Sequence, residues 1–329
     1  MIPRFSNLSS DFCETGFGAV GGDPLRLALL GLIVRHAKDP DTSRHDILPC
    51  GRTVRPKTKS SEGERAMPSA LIEFWRRYSF SHAPYVHPDD RTLLESENRR
   101  YVHSAPTNFD EYVASDQFGD FEDVRFHLSL LPCFFAGDLR SADILIFLLN
   151  PGFSYSDYYA EFKVDGCKSR LQRMIQQDFD GIEFPFVWLD PDYCWHGGFN
   201  WWERKLREVI IEVVEQQFAG RYLDGLRSLS RRLAAIELVP YHAFSFRAHR
   251  LIDKLSSVKA AQAFAARAVE SAAGGDKTII VTRQAAQWGF AKGLPHVVVY
   301  EGGQTRGASL GVNTPGGRAI LAKYGGHLA

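Results

Sequence analysis

The sequence has little of what several protein classes require. Its five cysteines, Cys13, Cys50, Cys133, Cys167 and Cys194, are odd in number and widely spaced, with no Cys-x-x-Cys pair. That argues against a disulfide framework and a zinc ribbon, and it fits a reducing, cytoplasmic setting. Charge of one sign is not in excess: 39 basic and 39 acidic residues cancel. A histone-like, purely electrostatic nucleic-acid binder is thereby disfavoured, although a local basic groove is not. No segment approaches the roughly 20 apolar residues of a membrane helix. The longest candidate, residues 25–34, contains Arg26 and follows Asp23-Pro24, so it reads as a buried helix with an N-cap and proline at its first position. The N-terminus lacks the layout of a secretory signal. There is no internal repeat, and no Walker loop or Rossmann fingerprint follows a first strand.

What is present is an ordinary globular composition: 329 residues, 44% hydrophobic and 24% charged, enough for one large or two small domains. Residues 40–66 are rich in Pro, Ser, Lys, Arg and Gly and read as a long loop. A short helix is expected over 70–78, and residues 82–135 read as irregular. From about residue 139 the pattern changes. Apolar runs at 143–149, 234–239, 278–282 and 296–300 alternate with helical patterns at 168–177, 203–218 and 258–273. Such alternation predicts an α/β fold with a four-stranded parallel sheet between helical layers, a three-layer sandwich. The expected organisation is an N-terminal, mainly helical or irregular extension (1–135) packed on an α/β domain (136–329).

The most informative stretch is the apolar run 144–149, which stops at Asn150-Pro151-Gly152. An uninterrupted apolar run suits a strand buried on both faces. Pro151 cannot donate to a ladder and pushes Asn150 out of the helical region, so the strand must end in a turn. In open α/β sheets, ligands gather beyond the carboxyl ends of strands. Asn-Pro-Gly is also an ordinary turn tripeptide. Leu148-Leu149-Asn150-Pro151-Gly152 nonetheless resembles the first motif of the uracil-DNA glycosylase superfamily, whose mismatch-specific and thymine branches carry Gly-Ile-Asn-Pro-Gly after a strand; Leu148 replaces the first Gly. The resemblance covers roughly residues 139–329.

The resemblance implies a parallel sheet between helices, base flipping, and hydrolysis of an N-glycosidic bond to leave an abasic site. It gives Asn150 the positioning of water, with Pro151, Gly152 and Phe153 beside the base. Some members hold an iron–sulfur cluster on four cysteines, a spacing that does not fit here, so no cofactor and no metal are expected. The chemistry needs an extruded base, a donor or positive charge for the departing base, and a placed water. Asp157 and Glu161 could assist the water or serve as helix-start carboxylates. Tyr158 and Tyr159 could stack on the base or simply pack. A second strand ends at Pro240, placing Tyr241 and His242 on the same rim. His242 is a candidate donor to a base oxygen or a phosphate, or a surface histidine. Glu237 interrupts that strand and must be paired or functional. Arg283, at a strand-to-helix turn, is a candidate phosphate contact. The glycine-rich stretch 302–317 carries Arg306, Asn313, Thr314 and, just beyond, Arg318. Asn313-Thr314-Pro315-Gly316 is its nearest match to the superfamily's second motif, with an inserted Thr and no Ser. The aromatic segment 184–202 could line a base pocket or form core.

The expected partner is double- or single-stranded DNA, bound by a monomer. Modified cytosines of phage DNA, in a defence role, or uracil are the candidate bases. Two other classes share these features: a non-catalytic nucleic-acid sensor with the same fold, and a small-molecule nucleoside hydrolase.

Overall fold

The computed structural model describes residues 67–78, 81–97 and 106–325. The helix expected at 25–34 and the loop at 40–66 lie outside the described residues. The described residues belong to the compact unit Lys59–Ala329.

The protein is α/β, built on a five-stranded mixed sheet. Its strands are β1 (Phe135–Ala136), β2 (Ile144–Leu148), β3 (Leu233–Glu237), β4 (Thr278–Val281) and β5 (Val297–Val299), in the order β1-β3-β2-β4-β5. The four apolar runs become β2 to β5, which pair in parallel. The expectation of four strands, all parallel, is corrected by β1, which lies antiparallel on β3 with Phe135 opposite Ile236. Two residues are too short for any periodicity, so β1 left no signal. It ends at Gly137, where φ is +87° and a Cβ would lie 2.3 Å from the Leu233 carbonyl oxygen; only glycine tolerates both. All five residues of β2 are buried, as its apolar run requires.

Helices cover both faces. They are α1 (Met67–Arg76), α2 (Pro88–Ser96), α3 (Phe109–Ala114), α4 (Tyr155–Lys163), α5 (Cys167–Gln176), α6 (Gly197–Gln217), α7 (Tyr222–Arg232), α8 (Ser256–Ala273), α9 (Ala285–Trp288), α10 (Gly303–Gly307) and α11 (Pro315–Ala322). Phe147 of β2 meets Phe264 of α8, with ring centroids 6.3 Å apart. The register pairs Phe147 with Val281 and Ile146 with Ile280. Successive side chains alternate faces, so Ile280 points away from α8, towards Gly316 of α11. Long α6 buries Leu206, Val209, Ile210, Val213 and Val214 along one stripe, the expected apolar face. No helix among the described residues is long and apolar enough to cross a membrane.

The stretch 82–135 is less irregular than its sequence suggests. His87 caps α2 ahead of Pro88, and Asn108 caps α3. Helix α1 and the segment before β1 share one core with the sheet: Trp75 stacks on Phe134 at 3.7 Å, and both belong to the cluster that contains β2. Buried Asp90 accepts from the Tyr241 hydroxyl at 2.8 Å and from the Ser256 main-chain N–H at 2.7 Å, at the start of α8. The change of pattern near residue 139 therefore marks the start of the parallel strands within this unit rather than a gap in its packing.

Candidate active site

A cleft of about 440 Å³ opens at the carboxyl ends of β2, β3 and β4, within the size range of small-molecule and cofactor sites. It forms because β2 cannot continue. The ladder runs one step past Leu148, with the Val239 N–H donating to Leu149 O at 2.9 Å; Asn150-Pro151 then breaks it. Gly152 follows in the left-handed region at φ +72°, where a side chain would be strained. Ser154 then caps α4. Its hydroxyl accepts from the Ser156 N–H, and Asp157 reaches back to the Ser154 N–H at 2.6 Å, a capping box. The strand, the turn and the helix start thus deliver Asn150 and Asp157 to one rim.

Asp157 is the centre of the polar network. Its Oδ1 accepts from His196 Nε2 at 3.1 Å. His196 Nδ1 accepts from the Gly198 N–H at 2.9 Å, so this hydrogen-bond pattern assigns the proton to Nε2. His196 caps α6 and stacks on Trp188 at 4.7 Å. The next residue must be glycine, since a Cβ at Gly197 would lie 2.4 Å from Ser154 Oγ. Burial pushes the Asp157 carboxyl up; the His196 hydrogen bond, the electrostatic pull of His196 and His242 and the Ser154 N–H outweigh it, and the pKa falls below the ordinary value. Asp157 is therefore an anion on the cleft wall.

His242 lines the same cleft but its ring is committed. Nδ1 lies 3.0 Å from Gly152 O and Nε2 3.1 Å from Leu131 O. Asp157 is 3.9 Å away. Burial lowers the His242 pKa, against the pull of Asp157 and of the two carbonyls. A neutral imidazole has one N–H, so it donates to one of these carbonyls, and both ring nitrogens face main-chain oxygens. His242, the expected donor to a base, thus also bridges the turn after β2 and the segment before β1.

Asn150, Pro151, Gly152, Phe153, Asp157, His242 and Arg283 all line the cleft. The Nδ2 of Asn150 is buried and no described group accepts from it. Arg283 donates to the carbonyl oxygens of Thr305 and Arg306 at 3.2 and 3.1 Å, and Lys205 donates to that of Gly307. Arg283, Lys205 and exposed Arg204 and Arg306 thus cluster around α10.

The other expected site residues do not line the cleft. Tyr158 is fully buried and stacks on Tyr112 at 4.3 Å. Tyr159 meets Phe109 and Trp195. Glu161 is buried and accepts from the Leu131 N–H at 2.9 Å; burial raises its pKa to about 8, against the opposing charge of Lys168. Tyr241 is bound to Asp90 in the core. Asn313 and Thr314 build a helix start rather than a loop at the cleft: the Thr314 hydroxyl accepts from the Gly317 N–H at 3.0 Å, and Arg318 donates to Asn313 O at 3.0 Å. Arg306 is exposed on α10.

The lining also includes residues that were not among the expected site residues, Glu237, His196 and Trp201 among them. Glu237 signalled itself as a carboxylate inside an apolar run. His196 and Trp201 lie in the aromatic segment, where nothing local tells wall from core. Among the described residues, no group of three His, Cys, Asp or Glu side chains is placed to hold a metal ion. The chain matches no family model, no curated protein and no solved structure.

Proposed function

We propose that the cleft receives a nucleobase extruded from DNA and that the protein hydrolyses its N-glycosidic bond, leaving an abasic site. The observation that carries this reading is the meeting of Asn150, Asp157 and aromatic walls at the carboxyl ends of adjacent parallel strands. Cleavage develops positive charge on the sugar. An ionised carboxylate such as Asp157 stabilises that charge, and Asn150, with an uncommitted amide, orients the attacking water. Phe153, Trp188 and Trp201 on the lining offer faces on which a planar base can stack.

The charge around the cleft suits this substrate. Arg204, Lys205, Arg283 and Arg306 lie together on one flank, where they attract backbone phosphates. Elsewhere on the rim, where Phe121 meets Phe244 of the cleft at 5.5 Å, the neighbouring Asp120 and Glu122 are exposed and repel them. A DNA strand would therefore cross on the basic side. The finer architecture proposed is a three-layer fold of the glycosylase type, acting as a monomer without a cofactor. The candidate bases are modified cytosines, in a defence role, and uracil.

The test is an abasic-site assay. Duplex and single-stranded DNA carrying uracil, mismatched thymine, or hydroxymethylated or glucosylated cytosine is incubated with protein and then cleaved with alkali. Strand cleavage at one base class is the expected result. Binding without cleavage on every substrate supports a non-catalytic sensor instead; activity on free nucleosides alone supports a nucleoside hydrolase.

A further inference from the structure

When an N-glycosidic bond breaks, its electron pair goes to the base. A departing cytosine holds that charge poorly and leaves faster if a proton or a hydrogen-bond donor meets it. Two nitrogen donors on the cleft are occupied: the His242 ring lies between Gly152 O and Leu131 O, and Arg283 donates to the carbonyls of Thr305 and Arg306.

Glu237 is not. It ends β3, opposite Leu148 of β2 and thus two residues short of Asn150 in the neighbouring strand's register. It lines the cleft and is only 6% exposed. Its Oε2 is buried without a hydrogen-bond partner, and no ion pair among the described residues holds the carboxyl. A carboxylate buried without a partner is strongly disfavoured against the neutral acid. The positive charge of Arg283 opposes this, but burial dominates and raises the pKa well above the ordinary value.

We propose that Glu237 is the neutral carboxylic acid that meets the departing base and gives it a proton, which directs the site to cytosine-type bases that leave poorly as anions. The inference rests on the base-release reading above. The C1′–N bond breaks and its electron pair goes to the base. The Glu237 proton moves to the base, which departs neutral, and Glu237 becomes a carboxylate. Water oxygen bonds to C1′ and releases a proton to Asp157 or bulk water. A proton from solvent then restores Glu237. The titratable and charged groups around the acid are Cys133 ahead of β1, Asp157 of α4, His196 of α6, His242 after β3 and Arg283 after β4.

The experiment compares wild type, E237Q and E237L in single-turnover release of a modified cytosine across pH. It also records the infrared band of a protonated carboxylic acid, as the wild-type-minus-E237Q difference, with and without duplex. The account expects that band at neutral pH, shifted by the duplex. It expects release by E237L to fall roughly 100- to 1,000-fold, the cost of deleting one preorganised donor. Wild-type release should decline on the alkaline side as the acid ionises, whereas E237Q, near-isosteric and unable to ionise, should show intermediate release without that decline. Release by E237L at the wild-type rate, or an alkaline decline retained in E237Q, overturns the role of Glu237 alone. Wild-type protein that releases no base overturns the base-release reading and this inference with it.

Discussion

His196 donates through Nε2 to Asp157 at 3.1 Å while its Nδ1 accepts from the Gly198 N–H, so one imidazole joins the starts of α4 and α6. The same contact fixes the orientation of the carboxylate beneath the cleft. His196→Ala should therefore act twice. It should lower global stability by about 1–3 kcal/mol, because Asp157 loses a buried partner and α6 loses its cap. It should also slow base release while leaving DNA affinity near wild type. Urea denaturation and a binding titration separate the two effects.

Asp157 has a depressed pKa in the folded protein. Its contribution to stability is therefore present above the unfolded carboxyl value of about 4 and is lost as pH falls through the lower folded value. Asp157→Asn should remove that part of the acid-induced loss. Stability curves for the two proteins, measured by denaturation between about pH 6 and about pH 2, should converge towards the acid end. Curves that stay parallel would remove the Asp157–His196 pair from the account of acid stability.

Glu161 shows the opposite sign. Its folded pKa is raised to about 8, so the unfolded chain ionises it first. The penalty begins near pH 4.5 and grows until the folded acid ionises near 8. Glu161→Gln keeps an acceptor for the Leu131 N–H and cannot ionise. Relative to wild type it should gain stability steadily across that window. Thermal unfolding at several pH values checks the trend, and a difference that does not change with pH contradicts it.

Arg204 and Arg306 are exposed on the basic flank. Replacing either with Ala should weaken DNA binding about equally for every sequence and reduce the salt slope of log K by about 1, as a lost phosphate contact does. Release of bound base should be little changed. An unchanged salt slope for both variants would place the DNA elsewhere.

The strands and long helices were legible because their signals are local. The four apolar runs and the stripe from Leu206 to Val214 needed only neighbouring residues to be read. β1 and α7 were not legible. β1 has two residues, and α7 buries Gly225 and Ser230. At Gly225 a Cβ would lie 2.3 Å from Val214 of α6, so that glycine serves close helix packing and not a turn. Within the site, Asn150, Gly152, Phe153 and Asp157, all read from the turn after β2, line one cleft. His242 also reached the rim, but its commitment to Leu131 and Gly152 is a tertiary fact with no local trace. Thr314-Pro315 followed by two glycines reads equally as a loop or as a capped helix start, and packing against Tyr300, whose hydroxyl meets the Thr314 hydroxyl at 3.1 Å, decides for the helix.

The central claim is that Asn150 sits where water attacks an anomeric carbon. The most direct test is single-turnover base release by wild type and Asn150→Ala on the best substrate of the abasic-site panel, with folding verified by circular dichroism and denaturant midpoint. The account predicts abasic product from wild type and a loss of roughly 100-fold or more in a folded Asn150→Ala protein. Near wild-type release by that folded variant would contradict it.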